Sequence, residues 1–163
     1  MRRIGVLSDT HGTVPRQVYS FFKDCDELWH AGDMGRGVYE ELTQFKPLRA
    51  VYGNMDDYDL RYRVPASDLF ACDGLRVLLT HIGGYPGHYP PAILKILQND
   101  HPNLFVCGHS HILRVMYDND LQLLHINPGA AGRQGFHKVG TLVRFTIDGT
   151  LKDLEVLDFP KFS

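Results

Sequence analysis

The sequence has few cysteines, almost no net charge and no long hydrophobic run. Its three cysteines, Cys25, Cys72 and Cys107, are odd in number and show no C-x-x-C spacing, so neither a disulfide framework nor a thiolate zinc site is indicated. The net charge of -2 argues against a long nucleic acid as the main partner, although a small phosphorylated molecule fits. No segment has the length of a membrane span, and the apolar patch Ile4 to Leu7 is far shorter than a signal-peptide core. We therefore expect a cytoplasmic protein that does not act on membranes.

The first third of the chain alternates predicted strands and helices. The apolar runs in "RRIGVLSD", "ELWHAGD" and "LRAVYGN" indicate strands, and the apolar spacing in "PRQVYSFFK" and "GVYEELTQF" indicates helices. This alternation is typical of βαβ units with parallel strands.

Later segments favour hairpins. "LFACDGLRVLLTH" turns at Asp73-Gly74, and two further hairpins turn at residues 118–120 and at Asp148-Gly149. A helix, "PAILKILQND", and a strand, "NLFVCGHSH", lie between them. The prediction is an α/β start followed by a largely antiparallel half. With 163 residues and no linker or repeat, we expect residues 1–163 to form a single domain.

Each strand of the α/β portion ends in side chains that can bind metal. In open α/β sheets, ligands bind outside the carboxyl ends of the strands, so residues distant in sequence meet at one edge. Carboxylate, carboxamide and imidazole together suit Mn, Fe or Zn better than Mg or Ca alone, and so many donors suit two ions. The candidate ligands are Asp9, His11, Asp33, Asn54, His81, His109 and His111.

The motifs that carry these residues occur in a recognisable order. "DTH", "GD", "GNMD", "TH" and "GHSH" resemble the calcineurin-like metallophosphoesterase superfamily, and the chain length and "INPG" resemble its small prokaryotic phosphodiesterase branch. Any one motif is weak, but five in order over most of the chain are specific. The resemblance implies a four-layered α/β/β/α sandwich with the metal centre at the strand ends.

The resemblance also implies a role for each ligand. Asp9, His11 and His111 would hold one metal, Asn54, His81 and His109 the other, and Asp33 would bridge them. The nucleophile would be a hydroxide bridging the two metals. Mn is the favoured metal, with Fe, Zn, Ni, Co or Mg as alternatives. In an extended "GHSH" segment both imidazoles would lie on one face, and Gly108 would let the backbone approach the centre closely.

One position departs from the wider superfamily, in which many members carry a histidine after the asparagine that protonates the leaving group. Met55 stands there and cannot transfer a proton. No side-chain acid is therefore identified. The expected function is hydrolysis of a small phosphodiester. The alternatives are a phosphomonoesterase or nuclease of the same superfamily, or a binding scaffold that resembles the retromer subunit of this fold.

Several residues have two interpretations. Asp56 could orient a ligand or cap its loop, and Arg133 could contact a phosphate, although a solvated arginine is the simpler interpretation. His30, inside an apolar strand, is expected to be a hydrogen-bonded core histidine, and His137 to be a surface or packing residue. The exposed edges of the late hairpins could pair between chains as a homodimer or tetramer.

Overall fold

The computed structural model describes residues 1–162 and contains two five-stranded sheets. The strands of the first sheet lie in the order β10-β9-β1-β2-β3, with β1, β2 and β3 parallel and β9 antiparallel to both β1 and β10. The parallel trio confirms the predicted βαβ units. The strands are β1 (Arg2–Leu7), β2 (Glu27–His30), β3 (Leu48–Ala50), β9 (Val139–Ile147) and β10 (Leu151–Pro160).

The second sheet has the order β4-β5-β6-β8-β7. The predicted hairpins β4–β5 and β7–β8 are present, but β6 pairs in parallel with both β5 and β8. The expectation of a largely antiparallel second half was therefore wrong for this strand, because the helix after β5 returns the chain to the same end of the sheet. The strands are β4 (Ser67–Cys72), β5 (Leu75–Thr80), β6 (Leu104–Val106), β7 (Leu113–Asp118) and β8 (Leu123–Pro128).

Four helices connect these strands in the described chain: α1 (Gln17–Phe21), α2 (Val38–Phe45), α3 (Tyr58–Arg63) and α4 (Pro91–Asp100). The sequence predicted α1, α2 and α4 but missed α3. This short helix buries only Leu60 and so has no apolar repeat; its first turn is capped by Asp57, which accepts the Leu60 amide at 3.1 Å. No helix among residues 1–162 is long and apolar enough to cross a membrane.

Apolar clusters fill the spaces between four layers. Between the two sheets, the Trp29 ring packs edge-on against Phe70 and Phe145, with centroids 5.2 and 5.8 Å apart. Helices α1 and α2 cover the outer face of the first sheet, where Leu42 is fully buried, and α4 covers the outer face of the second sheet through Leu97. The layers run helix, sheet, sheet, helix, which confirms the predicted α/β/β/α sandwich.

The loops after β1, β2, β3, β5 and β6 leave the sheets at their carboxyl ends and carry the predicted ligands. Backbone hydrogen bonds join these loops. The Asp9 amide donates to the Gly32 carbonyl at 3.0 Å, the His11 amide to Asp33 at 3.0 Å, and the Gly108 amide to His81 at 2.9 Å. The His109 amide also donates to Asp9 Oδ2, so the sandwich brings residues 100 positions apart to one edge.

Candidate metal centre

Five of the seven predicted ligands converge on one buried group of donor atoms. One set is Asp9, His11 and His111, and the other is Asp9, Asp33 and His81; within each set the donor atoms lie within 4.8 Å of one another. The other two ligands lie at the same rim. The His109 ring is 5.3 Å from the His81 ring, and Asn54 lines an open cleft together with His81.

The two carboxylates occupy the middle of this group. Asp9 Oδ1 lies 3.2 Å from His111 Nε2, 3.6 Å from His11 Nε2 and 3.9 Å from His81 Nε2. Asp33 Oδ2 lies 3.1 Å from His81 Nε2 and 3.9 Å from His11 Nε2. Both carboxylates therefore face imidazoles of both predicted metal positions, and the assignment of Asp33 as the bridge stays a prediction.

Unsatisfied buried atoms show that this donor set suits a cation. Among residues 1–162, Asp9 Oδ1, His11 Nε2 and His81 Nε2 are buried without a hydrogen-bond partner. Such atoms are rare in folded proteins because each loses its hydration without compensation. Here they belong to adjacent side chains and point at one another. Divalent metal ions would satisfy them, and imidazole with carboxylate is a donor set for transition metals.

Hydrogen bonds behind the donor atoms orient them. His81 Nδ1 lies 2.7 Å from the Ala31 carbonyl, which can only accept, so Nδ1 carries a proton and Nε2 is the nitrogen that presents a lone pair when the imidazole is neutral. Asp9 Oδ2 accepts the Ser8 hydroxyl at 2.6 Å and the His109 amide at 3.1 Å, which leaves Oδ1 for the centre. Fixed orientations of this kind are typical of metal ligands.

The backbone at the ligands adopts an uncommon conformation. A positive φ is sterically disfavoured for residues with a side chain and concentrates at functional sites. Five candidate ligands have one: Asp9 (55°), His11 (46°), Asp33 (57°), His109 (72°) and His111 (63°). The loops after β1, β2 and β6 therefore place left-handed residues at the ligand positions themselves.

The "GHSH" segment is therefore not extended, and that prediction was wrong. His109 and His111 are both left-handed, and the Asn127 side-chain amide donates to the Gly108 carbonyl and the Ser110 hydroxyl, each at 3.0 Å. This long-range bridge bends the segment. The close approach of Gly108 is confirmed, because a Cβ there would lie 2.1 Å from Ser8 Oγ.

Asp56 ties two ligand loops together. Its buried carboxylate accepts four backbone N–H groups. Oδ2 accepts those of Asp33 at 2.9 Å, Met34 at 3.3 Å and Gly53 at 2.8 Å, and Oδ1 accepts that of Gly35 at 3.1 Å. The amides belong to the loop that carries Asp33 and to the loop that carries Asn54. Of the two roles that the sequence left open, the structure supports the loop cap: Asp56 accepts the Gly53 amide of its own loop and also tethers the loop that carries Asp33.

The charged groups of the centre shift one another's pKa. Burial raises the pKa of Asp9 and of Asp33, but His11 and His111 beside Asp9, and His81 beside Asp33, outweigh burial and lower both. The Asp9 carboxylate raises the pKa of His11 against the effect of burial. Burial lowers the pKa of His81, but the carboxylates of Asp33 and Asp9 raise it by a larger amount, so the net shift is upward. The carboxylates are therefore anionic at neutral pH, and a metal would displace protons from the imidazoles.

Histidines outside the ligand set have distinct roles. His30 is fully buried; its Nδ1 accepts the Gly32 amide at 3.0 Å, so its Nε2–H faces the Thr10 hydroxyl at 3.0 Å. This burial and these hydrogen bonds confirm the expected core histidine, and burial lowers its pKa to about 3. His137 was missed as a neighbour of the site. Its ring lies 5.2 Å from the His111 ring, and no local motif signals this contact. Arg133 is exposed.

Comparisons with known proteins identify the family of the chain. Residues 1–150 match the model of the calcineurin-like phosphoesterase superfamily domain. A probable metallophosphoesterase from Methanothermobacter thermautotrophicus is 30% identical over 160 residues, which cover 94% of this chain and 91% of that protein.

Two solved structures show the same fold at low identity. An archaeal phosphodiesterase superposes with a TM-score of 0.78 at 20% identity, covering 96% of this chain and 99% of that one. Vps29 from Entamoeba histolytica, solved in complex with zinc, gives a TM-score of 0.67 at 18% identity, covering 96% of this chain and 98% of that one.

Proposed function

The chain belongs to the calcineurin-like phosphoesterase superfamily, and from that premise we propose that it is a phosphodiesterase that uses two divalent metal ions. The observation that carries the proposal is the group of buried donor atoms without hydrogen-bond partners in the described chain: Asp9 Oδ1, His11 Nε2 and His81 Nε2. Asp9 and Asp33 supply the anionic charge, and neutral imidazoles and Asn54 supply the remaining donors.

In this proposal Asp9, His11 and His111 hold one ion, Asn54, His81 and His109 hold the other, and Asp33 contacts both. The bound ions would neutralise the charge of the phosphoester and lower the pKa of the water that attacks phosphorus. The chain itself keeps the ligands in place: Ala31 orients His81, and Ser8 orients Asp9.

The preference for a diester rests on Met55. Its amide donates to Asp33 Oδ1 at 2.8 Å, while its side chain is 63% exposed at the rim and has no proton to transfer. General acid catalysis is typically worth about 10²–10⁴-fold, which a monoester with a poor leaving group then lacks. A diester carries one negative charge instead of two, so hydroxide attack on it meets less repulsion.

A binding scaffold is the second candidate function, because Vps29 structures share the fold. All seven ligand positions of this chain hold residues that can bind metal, which favours an enzyme. A nuclease acting on long substrates would fit a basic surface better than a net charge of -2.

The finer points of the proposal follow from the donor set and the cysteines. Mn suits mixed imidazole and carboxylate donors, and Fe, Zn, Ni, Co and Mg are the metals to compare with it. Cys25, Cys72 and Cys107 are buried free thiols, which supports a cytoplasmic location.

The decisive experiment is an activity screen of metals against substrates, with Asp33→Asn purified in parallel. With Mn, we expect bis-p-nitrophenyl phosphate to be hydrolysed faster than p-nitrophenyl phosphate. Asp33→Asn should lose nearly all activity while retaining its circular dichroism spectrum, since the carboxylate faces both metal positions. A preference for the monoester contradicts the diester assignment. No turnover with any metal contradicts the proposed enzyme, and equal turnover by the variant would remove Asp33 from the metal centre.

A further inference from the structure

We propose that strand β7 pairs with β7 of a second copy of the chain, so that the protein is a two-fold homodimer. Strand β7 is the edge of the second sheet and pairs only with β8 among the described residues. An edge strand presents unpaired N–H and C=O groups that can template another strand, and native proteins normally block or cover such edges.

The pairing register shows which backbone groups face outward. Along a strand, the N–H and C=O of one residue point to the same side, and successive residues alternate. In β8, the backbone groups of Leu124 and Ile126 form hydrogen bonds on the side of β6. The backbone groups of the alternate residues of β8 therefore face β7. The β7 partners of Leu124 and Ile126 therefore direct their backbone groups away from the sheet. The outward-facing residues of β7 are Leu113, Val115 and Tyr117.

The side chains of this edge are apolar and exposed. The strand contains no proline or lysine and pairs with β8 without a bulge, so three common protections of an edge strand are missing from it. The five exposed apolar residues are Ile112, Leu113, Val115, Met116 and Tyr117, each between 37% and 57% exposed. A contiguous apolar stretch of this kind marks a surface that another protein covers.

The sequence of β7 complements itself in one register. When β7 is aligned antiparallel to β7 of a second copy, two registers pair five residues of each strand. A two-fold axis at Val115 places Arg114 opposite Met116 of the partner subunit. An axis at Met116 places Arg114 opposite Asp118 of the partner subunit, and Val115 opposite Tyr117 of the partner subunit. Opposite charges and a β-branched residue facing an aromatic ring are favourable cross-strand pairs.

The acidic member of this charge pair is only 7% exposed and is fixed in place by its own subunit. The Asp118 carboxylate accepts the Tyr89 hydroxyl at 2.6 Å and the amides of Asp120 and Leu121. These bonds lower its pKa against the effect of burial, so it is anionic. Charge complementarity thus selects a second copy, in the register with Met116 on the axis. The two copies meet through one patch, which closes the assembly as a dimer. The inference does not depend on the proposed enzymatic function.

The register can be tested by cross-linking. Residues 114, 116 and 118 bond toward β8, so Met116 would face its own copy as a non-hydrogen-bonded pair, with Cα atoms about 4.5 Å apart. That distance suits a disulfide. Met116→Cys should form a covalent dimer under mild oxidation at low micromolar concentration. Val115→Cys is the matched control, because it would face Tyr117 of the partner subunit. The native cysteines are buried and should not interfere.

A second variant tests the interface without a cross-link. Arg114→Glu would place two carboxylates opposite each other, and we expect the dimer to dissociate at least tenfold more readily in sedimentation or light-scattering measurements. Leu69→Glu is the control, since Leu69 is 37% exposed on β4 at the other edge of the same sheet. A wild type that stays monomeric at about 100 µM overturns the proposal. So does a dimer that tolerates Arg114→Glu, or equal cross-linking of Met116→Cys and Val115→Cys.

Discussion

Replacing Asp56 with asparagine should weaken metal binding as well as the fold. Asp56 does not belong to the predicted ligand set, yet its carboxylate accepts the amides of Asp33 and Gly53 at 2.9 and 2.8 Å. These amides lie in the two loops that carry Asp33 and Asn54. The substitution leaves the ligands unchanged and alters only what holds them in register.

The magnitude follows from the hydrogen bonds. Asparagine keeps one acceptor oxygen for the three amides at Oδ2, but its NH₂ group would face the Gly35 amide, now 3.1 Å from Oδ1, so two donors meet. An unsatisfied amide costs about 1–3 kcal/mol, and losing the charge weakens the remaining bonds by about 1 kcal/mol. We expect the free energy of unfolding to fall by about 2–4 kcal/mol, which lowers Tm by roughly 5–15 °C in a chain of this size. Loss of a group that orients metal ligands typically reduces metal affinity about 10–100-fold.

The assay is titration calorimetry with Mn at a temperature well below the Tm of the variant, with thermal unfolding measured separately. Asp57→Ala is the matched control. Asp57 caps α3 through the Leu60 amide, so its loss should cost about 1 kcal/mol of stability without altering Mn affinity. Wild-type Mn affinity in Asp56→Asn would refute the reasoning. So would a loss of affinity in Asp57→Ala in proportion to its loss of stability.

Three further predictions concern the metals, the leaving group and acid stability. Elemental analysis after reloading the metal-free protein with Mn should approach two equivalents per chain, and a plateau at one would contradict a dinuclear centre. The wild type should depend steeply on the leaving-group pKa in a series of aryl phosphodiesters, and Met55→His should flatten that dependence; a flat wild-type series with chemistry rate-limiting would mean that another residue is the acid. His125 is fully buried, and both of its ring nitrogens lack hydrogen-bond partners among residues 1–162. Burial lowers its pKa from 6.5 to about 4. Between these pH values His125 is protonated in the unfolded chain but not in the folded chain, so the free energy of unfolding should fall by about 3 kcal/mol as the pH drops. Chemical denaturation across this range should show a smaller acid loss in His125→Leu, and an unchanged pH dependence would exclude His125 as its source.

The βαβ start, the hairpins and the members of the site could be predicted because they depend on local patterns, whereas the four-layered arrangement was implied by the family resemblance. Apolar runs that end in Asp, Asn or His give the strand and the ligand together, and parallel strands bring such ends to one edge. The turns at Asp73-Gly74 and Asp148-Gly149 likewise predicted hairpins that the structure confirms. Each of these inferences uses residues within a few positions of one another.

Features that depend on distant partners could not be predicted. Helix α3 has too few buried residues to produce an apolar repeat, and the position of β6 between β5 and β8 depends on which strands meet after the chain folds. The left-handed conformation of His109 and His111 accompanies a hydrogen-bonded bridge from Asn127, which lies 16 residues beyond His111 in the sequence. The contact of His137 with His111 has no local signal either.

The sequence by itself determined which side chains could bind metal and in what order the chain presents them, because ligand chemistry is a property of residue type. Only the tertiary structure decided how those side chains face one another. It placed Asp9 Oδ1 within 3.9 Å of three imidazoles and made Asp56 the tether of two loops. Those arrangements depend on backbone amides and buried oxygens from several loops, whose positions follow from packing the two sheets together rather than from the residue types at the site.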